Sequence, residues 1–133
     1  MKIEHIETDA MDKHPEFSSI VSVTAPGKIH FLSGRCSTDK DFTVIAKGDM
    51  LGQYRQVMKL LTHELESIGA TWDNVVYRRI STVDPDACKA AAREPDIAAY
   101  FDRDRMPGGT LIGVTRLANP DFLMEVDLIV VTE

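Results

Sequence analysis

The fold turns on Pro107-Gly-Gly-Thr-Leu-Ile-Gly-Val-Thr-Arg-Leu117 and the run that follows it, Leu123-Met-Glu-Val-Asp-Leu-Ile-Val-Val131. Both read as apolar strands bounded by turn residues. In the second, period-2 alternation puts Phe122, Met124, Val126, Leu128 and Val130 on one face and Leu123, Glu125, Asp127, Ile129 and Val131 on the other. Two carboxylates on a strand face shared with aliphatic residues must find hydrogen-bond or charge partners, or stay protonated, and both outcomes are common where chemistry is done.

Upstream of these strands lies the clearest helix. Leu51, Tyr54, Val57, Met58, Leu61, Leu65 and Ile68 recur at helical spacing and form one stripe. Asp49 is placed to cap its start and Gly69 to end it in the left-handed conformation. Val75 to Val83 reads as a strand, and Asp84-Pro85-Asp86 as a turn with an N-cap. The alanine-rich residues 87–103 read as helix broken near Glu94, with Pro95 opening a second short helix at its first position. Near the N-terminus a short first strand is followed by Ser18 to Thr24, the turn Ala25-Pro-Gly-Lys28, and Ile29 to Ser33, a pattern that predicts a hairpin over 18–33. Phe42 to Ala46 reads as a short extended piece.

Strands, long helix, strand, helix and two strands make one α+β domain over residues 1–133, a two-layer sandwich with a mixed sheet and two main helices on one face. Helices this few leave the other sheet face bare. Its aliphatic content predicts oligomerisation, with ligand clefts between subunits.

Composition narrows the function. A formal charge of −6 and pI near 5.2, with Arg78-Arg79 the only basic pair, disfavour binding to nucleic-acid backbone. The N-terminal stretch lacks the apolar core of a signal peptide, and no run reaches membrane-span length. Cys36 and Cys88 show neither metal-binding spacing nor a disulfide framework. His5, His14 and His63 have no partner at metal-ligand spacing. These features predict a cytoplasmic protein that uses no metal or cofactor and binds neither nucleic acid nor membrane.

Gly27-Lys-Ile-His-Phe-Leu-Ser-Gly34, Gln53, the segment Glu64 to Val76, Tyr100-Phe101, Pro107, Arg116-Leu117 and Leu123-Met-Glu-Val-Asp127 together resemble the Rid (YjgF) family. The resemblance implies a chorismate-mutase-like fold and a homotrimer with three intersubunit clefts. It also implies hydrolysis of enamines or imines to ketoacids and ammonia, or deamination of 2-aminomuconate. Glu125 matches the family glutamate that positions the attacking water, and Ser33 and Gly34 match the pair lining the cleft. The deaminating branch has an arginine clamp for the substrate carboxylate, but that position is Gly109 here, within Pro107-Gly108-Gly109-Thr110. The cysteine two positions on is Leu111, and the family's early tyrosine falls near Ile20. Arg35 replaces the usual glutamine after the Ser-Gly pair.

The resulting expectation is a small-molecule hydrolase or deaminase with Glu125 as catalytic group and Ser33, Gly34, Arg35, Gly108, Gly109 and Thr110 around the substrate. Arg35 or the Gly108-Gly109 backbone would hold the substrate's anionic end. Two alternatives stay open: a non-catalytic metabolite-binding or regulatory trimer using the same cleft, and a tautomerase or lyase-like activity. RNA cleavage, attributed to some relatives, fits the acidic charge poorly.

Overall fold

The computed structural model describes residues 1–133. Six strands and three helices follow in the order β1 (Lys2–Ile6), β2 (Ile20–Thr24), β3 (Lys28–Arg35), α1 (Met50–Ser67), β4 (Val75–Thr82), α2 (Pro85–Ala92), α3 (Pro95–Ala98), β5 (Gly108–Gly113) and β6 (Met124–Thr132). The main sheet has the order β3-β6-β4-β5, with β4 and β5 parallel and the other pairs antiparallel. It is the mixed sheet expected, and α1 and α2 pack on one face. No helix is long and apolar enough to cross a membrane.

Alternation along β6 builds the core. Met124, Val126, Leu128 and Val130 are buried under Tyr54, Val57, Met58, Leu61 and Leu65 of α1. Each such side chain contributes roughly 1.5–3 kcal/mol when fully withdrawn from water. Asp49 caps α1 by accepting from the Gly52 amide, and Gly69 follows at φ +70. Pro85 and Pro95 open α2 and α3, where the missing N–H costs nothing. Trp72 packs edge-on against Tyr100 and Phe101 and donates to Thr62 at 2.9 Å, so these partly buried aromatics pack against the core.

Two expectations fail. Residues 18–33 are not a hairpin: β2 pairs antiparallel with β1 in a separate two-stranded ribbon, whereas β3 pairs with β6. Ala25, at φ 51, redirects the chain, and Gly27 passes so close to the Glu133 backbone that a Cβ would fall 2.1 Å from its carbonyl carbon. The chain therefore enters the main sheet beside the C-terminal strand. Nor is Phe42 to Ala46 extended. Phe42 and Ala46 adopt positive φ, and the Asp39 carboxylate accepts from the amides of Asp41 and Thr43, which folds the segment into a tight loop.

The sheet face opposite the helices carries Ile29 and Phe31 of β3, Tyr77 of β4 and Ile112 of β5, at 53%, 77%, 37% and 39% exposure. Glu125 and Asp127 share this face, as the alternation of β6 requires.

Candidate functional site

The register places Glu125 opposite Ser81 of β4 and Asp127 opposite Arg79. On the other side, the β3–β6 ladder shifts between Leu32 and Arg35, leaving Ser33 and Gly34 as a bulge at the sheet edge. Bulges bend a strand and redirect its side chains. Here the bulge brings the Gly34 backbone beneath the Glu125 carboxylate, where a Cβ would lie 2.3 Å from Oε1. Ser33, Gly34, Arg79, Ser81, Glu125 and Asp127 thereby line one shallow cleft of about 300 Å³, with Phe31 as its apolar rim.

The two carboxylates differ in their partners. Arg79 Nε donates to Asp127 Oδ2 at 2.9 Å, whereas Glu125 forms no salt bridge. Cys36 lies beside Glu125; burial first, then the neighbouring carboxylate charge, pushes its thiol up to about 12. Cys36 is therefore a protonated thiol at neutral pH, a donor rather than a nucleophile.

Of the expected site residues, the structure brings together Glu125, Ser33 and Gly34 and separates the rest. Arg35 does not reach this cleft: it follows the bulge, turns to the helix side of the sheet and pairs with Glu64 of α1. The cation in the cleft is instead Arg79, missed in the sequence although its alternation with Tyr77 and Ser81 would have placed it on the outer face. Gly108 and Gly109 lie across the sheet in register with Tyr77 and Arg78. A Cβ on Gly109 would fall 2.1 Å from the Arg78 carbonyl oxygen and 2.9 Å from the Phe17 ring, so this position faces a filled space rather than the cleft. Thr110 is exposed and pairs with Arg79, one strand beyond the cleft. Ile20, near the expected tyrosine position, is 46% exposed on β2 and distant from β6 in the pairing.

A mixed sheet, two covering helices and a glutamate over a Ser-Gly bulge make a small α+β fold with a shallow cleft on its outer face. The family model described as endoribonuclease L-PSP matches residues 8–132, and the chain belongs to this Rid (YjgF) family. A RutC family protein from Synechocystis sp. is 29% identical over 102 residues, covering 76% of each chain. The crystal structure of the Rid-family protein YyfB from Yersinia pestis superposes with a TM-score of 0.87 at 25% identity, covering 99% of this chain and 100% of the other. YyfA from the same organism shares the fold, with a TM-score of 0.70 at 24% identity over 98% of this chain and 100% of its own. The chorismate-mutase-like α+β fold is common to them.

Proposed function

We propose that the protein is an enamine or imine hydrolase acting in the Glu125 cleft. The observation that carries this reading is the Glu125 carboxylate, without an ion-pair partner, held over the Gly34 backbone beside a neutral thiol. In this reading Glu125 accepts a proton from water as its oxygen bonds to the C=N carbon. An enamine enters this sequence as its imine tautomer. Glu125 returns that proton to nitrogen to give the carbinolamine, then carries the carbinolamine's hydroxyl proton to the nitrogen as the C–N bond breaks, so that a carbonyl product and ammonia leave. Such a group contributes roughly 10²- to 10⁴-fold. Asp127 stays out of the proton transfer because Arg79 holds it as an ion pair. Ser33 and Ser81 offer hydroxyls to the substrate.

With Gly109 where the clamp arginine would stand, a substrate without an α-carboxylate fits better than 2-aminoacrylate. A bidentate guanidinium–carboxylate contact has no equal substitute in the cleft, where Arg79 is already engaged. The exposed Ile29, Phe31, Tyr77 and Ile112 favour a homotrimer in which neighbouring subunits cover this face and deepen the cleft. RNA cleavage is less favoured: two carboxylates and one committed arginine make an acidic surface for a phosphate backbone.

The test is ammonia release and loss of ultraviolet conjugation across enamines and imines with and without an α-carboxylate, including 2-aminomuconate. Turnover favouring substrates that lack the α-carboxylate supports the reading. Binding of such compounds without turnover would favour the metabolite-binding alternative.

A further inference from the structure

A second cavity, of about 260 Å³, opens on the helix side of the sheet, away from Glu125. Arg78 forms part of its wall. Because Arg79 faces outward on β4, the next residue back faces inward, and Arg78 is only 4% exposed. Its guanidinium sits over the Phe101 ring at 4.5 Å and near Phe17 at 5.3 Å, and Nη2 donates to the Glu16 carbonyl at 3.0 Å.

Those contacts leave part of the group unused. The buried Nε–H of Arg78 has no acceptor, and the buried Oε1 of Glu16, also in the cavity wall, accepts no hydrogen bond, although Arg93 Nε stands 4.0 Å from it. Buried charged groups are ordinarily fully hydrogen-bonded, so an unused donor and an unused acceptor in one cavity describe a complementary ligand. That ligand carries an acceptor for the guanidinium and a donor for the carboxylate.

Charge and shape restrict it further. Arg93, paired with Glu16, and Arg103 also line the cavity; Arg78 and Arg103 are left without a carboxylate partner, and a net anion is preferred over a zwitterion. Beside the Tyr54 ring the remaining wall is largely apolar, from Ile97, Ala98, Phe101 and Met106, and suits a compact aliphatic body.

We propose that this cavity binds a small aliphatic 2-hydroxy carboxylate, its carboxylate on Arg78 and its hydroxyl donating to Glu16. The site is separate from the Glu125 cleft, and the inference does not depend on the reading given to that cleft.

The test is calorimetric titration of the full chain with 2-hydroxyisovalerate beside 2-hydroxyisovaleramide, isovalerate, valine and sulfate. The hydroxy acid is expected to bind at least about tenfold more tightly than each of the others, a difference of about 1.4 kcal/mol. Arg78→Met should lose at least that factor, and Glu16→Leu should erase the preference for the hydroxy acid over isovalerate. Should Arg78→Met fail to fold, Ala98→Trp fills the cavity with the guanidinium intact and should abolish binding. No binding to wild type, binding that survives Ala98→Trp, or sulfate binding as tight as the hydroxy acid would overturn the proposal.

Discussion

Glu125 Oε1 occupies the space that a side chain on Gly34 would need, 2.3 Å from the position of a Cβ there. The obstructing atom is the end of a flexible side chain, so Gly34→Ala should displace the carboxylate rather than break the fold. Stability should fall by about 1 kcal/mol or less, while turnover falls about tenfold or more, since misplacement by about 1 Å can cost 10²-fold. Urea unfolding and kcat measured on one preparation check both halves.

Gly109→Arg should not install a carboxylate clamp. Its Cβ would meet the Arg78 carbonyl oxygen at 2.1 Å, and backbone rather than a side chain would have to move. The expected result is a loss of about 1–3 kcal/mol or more, as for overpacked sites, with no gain in turnover of 2-aminoacrylate. Denaturation midpoints and ammonia release provide the measurement.

Alkaline pH should destabilise the protein. Burial raises Cys36 from 9.0 to about 12, Cys88 from 9.0 to about 11 and Tyr54 from 10.0 to about 12. The unfolded chain therefore releases these protons first, the native state holds more of them, and unfolding free energy falls as pH rises. The contribution is complete below about pH 9 and is lost progressively from there towards about pH 12. Unfolding free energies measured between about pH 8 and pH 11 should decline; a flat or rising profile would show that the three groups titrate normally in the fold.

Removing the Glu125 charge should make Cys36 more acidic, because that carboxylate helps hold the thiol proton in place. Glu125→Gln is accordingly expected to speed alkylation of Cys36 by iodoacetamide near pH 8, with Cys88→Ala as background so that one thiol is followed.

Much of the fold was legible because it rests on local periodicity. The β6 alternation, the α1 stripe with its Asp49 cap and Gly69 terminus, and the break before Pro95 each depend on residues a few positions apart, and each stands as read. The supposed 18–33 hairpin failed because its turn residues were compatible with two pairings. The choice was made by distant partners, β1 for one strand and β6 for the other.

Strand alternation and family position coincide at Ser33, Gly34 and Glu125, and these are the expected residues that the structure places in one cleft. Arg35 was misplaced because a bulge changes which face a residue presents, and no local pattern announced the bulge. Arg78 and Arg79 were read only as a basic pair. Alternation with Ile80 and Thr82, both buried, already carried the signal that one of the two points inward.

Glu125→Gln is the direct test of the catalytic assignment. Ammonia release by wild type and variant should be compared on whichever enamine or imine the wild type turns over fastest. The variant is expected to fold normally and lose at least about 10²-fold in kcat. Equal turnover by the folded variant, or no wild-type turnover above the uncatalysed rate on any of these compounds, would contradict the assignment of Glu125 as the group that activates water.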